Sequence, residues 1–189
     1  MANLAYVQYL IYDTKENIQE LYNAIQKAQK EGDSLIYYIN ESLSIDTKNM
    51  YLRGIILDVI KEDDFINLIL ETAWDWQPDF LDALKSHFEN MEIYFSCEEP
   101  DFDLYVTNSF EVFPSRYIVD NYIDINEYFN DFDELKDYLQ TDSYLKENYP
   151  DMDFSKIGND VNEIEEIFEN WNENHCGDTQ FSLKIFKEI

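Results

Sequence analysis

A strand followed at once by a capped helix opens the chain, and this pair constrains the fold more than any other feature. Residues 4–12, LAYVQYLIY, are rich in β-branched and aromatic side chains and end at Asp13, the pattern of a buried strand. Thr14 is placed to cap a helix over 15–31, where Ile18, Leu21, Tyr22 and Ile25 recur at i, i+3, i+4 and i+7 and Gly32 supplies the stop. Further strands are expected at Leu35–Ile39 and Met50–Ile60, with Gly54 marking a bulge. Glu62, Asp63 and Asp64 suit the positive end of a helix carrying Phe65, Ile66, Ile69 and Leu70 as far as Trp74. Pro78 starts another helix, with Phe80, Leu81, Leu84 and Phe88 as its apolar stripe. Met91–Cys97 reads as a strand, EEPD at 98–101 as a turn and Leu104–Phe110 as the returning strand. Helices are expected near 124–130, 132–140 and 160–171, and Gln180–Lys187 alternates as a closing strand.

The order β-α-β-β-α-α-β-β, then helices and a strand, predicts an α+β fold, an antiparallel sheet with helices on one face. A ferredoxin-like core is expected over 1–110. An acidic helical extension over 111–189 follows, its last strand returning to the sheet; the alternative is one single domain. The 189 residues suffice to bury roughly 70% of the unfolded surface without covalent staples. Only four Gly and four Pro are present, so no flexible linker is expected.

Charge narrows the function. The chain has 41 acidic against 13 basic residues, a net of −28. Residues 1–61 hold eight acidic and six basic residues, and residues 62–189 hold 33 and seven, so nearly all of the excess lies in the latter. Duplex DNA carries one charge per about 1.7 Å, so this is the charge of about 14 base pairs on a body about 40 Å across. Lys is not correspondingly abundant, so codon bias alone does not account for the acids. Self-repulsion on this scale opposes compaction, and the 16% aromatic content offsets it through buried area.

Several chemistries find no support in the sequence. Cys97 and Cys176 make neither a metal spacing nor a disulfide framework, which suits a reducing compartment. The first residues, MANLAYVQYLIYD, lack a basic region and a cleavage site, and no apolar run reaches the length of a membrane span. His87 and His175 are the only imidazoles, and the adjacent His175–Cys176 pair lacks the spatial logic of a triad. The Asp clusters at 101–103, 131–134 and 151–153 depart from the calcium-loop pattern. There is no glycine-rich phosphate loop and no large basic patch, so direct nucleic-acid binding is disfavoured. No cofactor and no enzymatic activity are expected.

From Trp74 to Leu104 the chain resembles small ferredoxin-like proteins encoded by phages and plasmids. Trp76 and Pro78, the helix FLDALKSHF, the strand MEIYFSC and the Glu-Pro turn follow in that family's order, with Asp101 where the family has glycine. The resemblance implies a mobile-element origin. In composition the chain is similar to acidic phage inhibitors such as anti-CRISPR proteins. The resulting expectation is an inhibitor, in the cytoplasm of a bacterial host, of a basic nucleic-acid-binding defence nuclease, a CRISPR effector or its ribonucleoprotein. It would block guide or target binding, with no contact to nucleic acid or membrane. An immunity protein against a cationic toxin and a cation-dependent hydrolase are the alternatives. The expected contact residues are Glu98, Glu99, Asp101, Asp103, Asp120, Asp124, Glu127, Asp131, Asp133, Glu134, Asp137, Asp142, Glu147, Asp151 and Asp153, with Tyr128, Tyr138 and Tyr144 as aromatic anchors.

Overall fold

Val7, Tyr9 and Ile11 project to one side of β1 (Leu4–Tyr12) and are fully buried. They form the floor of the core in the computed structural model, which describes residues 3–100, 104–175, 177 and 179–189. α1 (Lys15–Glu31) follows as the sequence predicts: Thr14 Oγ1 accepts the Asn17 N–H, and Ile18, Leu21, Ala24, Ile25 and Ala28 are its buried stripe.

The helix expected after Glu62 is instead a strand, β3 (Phe65–Ala73), in a hairpin with β2 (Gly54–Lys61). Ile66, Leu68 and Leu70 alternate inward at period two, and the Glu62 N–H bonds the Phe65 carbonyl at 2.9 Å to close the turn. Phe65, Ile66, Ile69 and Leu70 fit a helical stripe as well. Backbone partners on both sides, β1 and β2, decide for the strand. Leu35 makes only an isolated bridge to Ile55, and the segment continues as α2 (Tyr37–Ser42) rather than a strand. The bulge in β2 falls between Ile56 and Asp58, not at Gly54. Gly54 is required for another reason, since a Cβ there would lie 2.8 Å from Thr72 Cγ2 and 3.0 Å from the Glu71 carbonyl.

α3 (Pro78–His87) is entered through Gln77, which has a left-handed φ of 55°. The buried Gln77 side chain accepts the Arg53 N–H at 2.8 Å and donates to the Ala73 carbonyl at 3.0 Å, tying this entry to the β2–β3 hairpin. β4 (Glu92–Glu99) runs two residues beyond the expected strand, so Glu98 and Glu99 are strand rather than turn; β5 (Leu104–Thr107) pairs with it. A six-stranded sheet results, in the order β2-β3-β1-β4-β5-β9, where β9 is Lys187–Glu188. The β2–β3, β3–β1, β1–β4 and β4–β5 pairs are antiparallel. Residues of α1, α2 and α3 join the inward side chains of these strands in one core.

This sheet and its helices make up one compact unit, Met1–Phe113 with Glu188–Ile189; Pro114–Lys187 form a second. The second unit has its own sheet, antiparallel β7-β6-β8, from β6 (Tyr117–Asp120), β7 (Asn126–Phe129) and β8 (Ser182–Ile185). Its helices are α4 (Phe132–Thr141), α5 (Ser143–Asn148) and α6 (Asn162–Asn174), with a 3₁₀ turn at Phe154–Lys156. The helix expected over 124–130 is therefore a turn followed by β7. Asn121 dictates it: its Oδ1 accepts the N–H groups of Ile123, Asp124 and Ile125 and folds the chain back before a helix can start. The closing strand is divided, β8 pairing with β6 in the smaller sheet and only β9 joining the larger one. No helix among the described residues is long and apolar enough to cross a membrane.

Candidate acidic binding surface

The smaller unit contains 18 acidic and six basic residues. Four of the cations are held within the chain. Lys136 donates to the Gly158 carbonyl, Lys146 to the Thr141 carbonyl, Lys156 pairs with Asp153 at 3.0 Å and Lys184 with Asp120 at 2.7 Å. With 18 acidic residues against six basic ones, the net field of this unit is negative.

The expected contact residues separate into three groups. The first is structural. Asp120 is buried against Lys184 and also accepts the Tyr122 N–H, so it is no part of an open surface. Glu99 is fully buried on the core side of β4, which likewise removes it. Asp131, Asp142 and Asp153 cap α4, α5 and the 3₁₀ turn through the N–H groups of Glu134, Leu145 and Ser155, and Glu134 accepts the Asn130 N–H. Serine and lysine partners hold the Asp153 carboxyl down at about 2. Regular acidic spacing along 120–153 thus reflects, in part, a chain that begins a new short element every few residues.

The second group is a tyrosine–carboxylate cluster. Asp124 accepts the Tyr144 hydroxyl, the Asn121 amide at 2.7 Å and the Tyr149 hydroxyl at 3.4 Å, and its carboxyl is held below the usual range, chiefly by Tyr144. The same bond pushes the Tyr144 phenol up to about 12. Tyr138 is raised to about 12 by burial and by Asp142, Glu127 and Asp124 around it.

The third group is available to a partner. Glu127, Asp133, Asp137 and Glu147 are exposed and make no side-chain hydrogen bond or ion pair with another described residue. Asp133 and Asp137 stand one turn apart on α4, a like-charge spacing that by itself destabilises a helix, while Asp133 in the first turn favours the helix dipole. Tyr128 and Tyr144 are exposed beside this group. Asp151 lies 3.9 Å from His175. Glu98 belongs to the outward side of β4 in the larger unit, and Asp101 and Asp103 lie outside the described residues.

One concave feature escapes the sequence reading. A groove of about 610 Å³ runs between the 3₁₀ turn and α6. Met152, Ile157, Ile167 and Trp171 supply its apolar wall, and Asp151, Asp153, Glu163 and Glu166 are its carboxylates. The Trp171 ring stacks on His175, with centroids 3.5 Å apart and planes within 11°. From sequence Trp171 is only the last residue of the helix expected over 160–171; the groove depends on the 3₁₀ turn, which carries no periodic signal. Lys156 also lines the groove, paired with Asp153, and Glu163 accepts the Gly158 N–H, which leaves Asp151 and Glu166 as the carboxylates toward which an incoming lysine or arginine stem would carry its charge.

Metal chemistry finds no assembled ligand set among the described residues. No group of three or more His, Cys, Asp or Glu side chains is placed to hold a metal ion there, and Cys176 lies outside them. His87 sits in an exposed contact with Glu20, and burial pushes the Cys97 thiol well above its ordinary range. Compared with protein-family models, curated proteins and solved structures, the chain has no match.

Proposed function

We propose that the chain is an acidic inhibitory binding protein of a phage or mobile element, directed at a basic nucleic-acid-binding defence nuclease of the anti-CRISPR-target kind. It acts in the cytoplasm of a bacterial host, by binding rather than catalysis. The observation that carries this reading is the set Glu127, Asp133, Asp137 and Glu147, exposed and uncommitted in a unit whose lysines are largely spent on internal bonds. Carboxylates in such an array take the place of phosphates against Lys and Arg, and steer association. Tyr128, Tyr144 and the Trp171 groove add the apolar anchoring that screened charges cannot provide. The strand order β2-β3-β1-β4, with α1 and α3 as the connections, supports a ferredoxin-like core for the larger unit and with it the mobile-element origin.

The test is target cleavage by guide-loaded CRISPR effector nucleases of the bacterial host, with the chain added before or after the guide. Loss of cleavage with the unaltered chain, restored when the four carboxylates are changed to their amides, is the expected result. Full cleavage by every effector at saturating chain would refute the reading.

A further inference from the structure

The uncovered face of the six-stranded sheet has an unusual composition. An antiparallel sheet with one face on the core ordinarily turns polar side chains to water on the other. Here the outward positions of β1 are Leu4, Tyr6, Gln8, Leu10 and Tyr12, only one of them polar. The register places Phe65 and Ile69 of β3, Ile55 and Ile60 of β2 and Tyr94 of β4 on the same side. Leu4, Tyr6, Tyr12, Ile55 and Ile60 are exposed. Tyr12 stacks on Phe65 at 5.6 Å and meets Tyr94 edge-on at 6.1 Å, so these rings satisfy one another and form a continuous apolar strip. Toward β5 the face closes, where Tyr105 and Thr107 are buried.

The charges on this face are predominantly negative, with Arg53, just ahead of β2 and beside Leu4, Ile55 and Glu71, the cation at its edge. Asp58, Glu71, Glu92 and Glu98 are the charged residues that the register turns outward on β1 to β4, and no lysine or arginine is among them. Gln8 and Asn67, hydrogen-bonded at 3.1 Å, lie within the face, and Glu71 and Glu98 flank Tyr6 on the neighbouring strands; exposed apolar groups gathered among polar ones in this way mark an interaction site. Its rim selects the occupant. Nucleic acid and anionic lipid would set phosphates against carboxylates. A second copy docked face to face would set carboxylate against carboxylate. A protein segment with an apolar stripe flanked by lysines or arginines meets both features at once.

We infer that this sheet face is a second docking surface, separate from the acidic surface of the smaller unit, and that it takes a cationic amphipathic segment of a partner protein. The inference rests on the larger unit alone and stands whether or not the target is a nuclease.

The probe is a leucine–lysine peptide with all its leucines on one helical face; the control is the same composition scrambled. Fluorescence anisotropy is expected to show binding of the amphipathic peptide about tenfold or more tighter than the scrambled one, a preference removed by Tyr6→Ser with Tyr12→Ser. Amide-shift mapping on the unaltered chain, which does not depend on any variant folding, should place the peptide on β1 and β3. Equal binding of the two peptides, or shifts confined to the smaller unit, would overturn the inference. So would a concentration-dependent dimer in sedimentation that the tyrosine changes abolish, because the face would then belong to a second copy.

Discussion

At the residue scale the same side-chain type does opposite jobs. Asp120 and Lys184 face each other with 13% and 10% of their side chains exposed, and the pair joins β6 to β8. Lys184→Met leaves Asp120 enclosed without its counter-charge and should cost about 3 kcal/mol in urea unfolding, most of it recovered when Asp120→Asn is added. Asp153, by contrast, is an exposed cap whose carboxyl is held down at about 2 by Ser155 and Lys156. Because the folded value lies below the unfolded one, its contribution is present in full above about pH 4 and disappears as pH falls through the folded value. Asp153→Asn should therefore be less stable than the parent at pH 7, with the gap closing by about pH 2; a gap independent of pH would contradict the assignment. Glu127, Asp133, Asp137 and Glu147 hold no such internal partner among the described residues, and the proposed contact draws on that.

At the element scale, Gly54 sets how closely β2 approaches β3. Gly54→Ala should destabilise by about 1–3 kcal/mol, since Thr72 and the Glu71 carbonyl already occupy the space, and the loss should appear as a lower urea midpoint with an unchanged slope. Elements with their own start and stop signals were legible in the sequence: β1, α1 between Thr14 and Gly32, α3 behind Pro78, and α4. Those that depend on tertiary partners were not. β3 carries an apolar pattern that fits either period and is settled by pairing with β1 and β2. β6 and β7 are four residues each, too short for a period to register, and the Asn121 turn between them is a side-chain device. At the candidate site the sequence located the carboxylates but not their commitments, because capping by Asp131, Asp142 and Asp153 depends on helix starts that the charge pattern disguises.

At the scale of the molecule, the acidic excess crosses the unit boundary. The larger unit contains 23 acidic and seven basic residues and the smaller 18 and six, net charges of −16 and −12. Residues 1–61, nearly balanced, supply β1, α1 and most of the exposed apolar side chains, and the acids follow from Glu62 onward. Added salt should raise the melting temperature by screening this self-repulsion, and should weaken the proposed complex for the same physical reason. The most direct test of the central claim is the affinity of the chain for the guide-loaded nuclease that it is proposed to inhibit, measured at about 0.1 M and about 0.5 M salt, with the unaltered chain and the four-amide variant side by side. The account predicts a loss of about tenfold or more for the unaltered chain on going to high salt, and a variant that binds weakly at both. An affinity indifferent to salt and equal in the two proteins would contradict it.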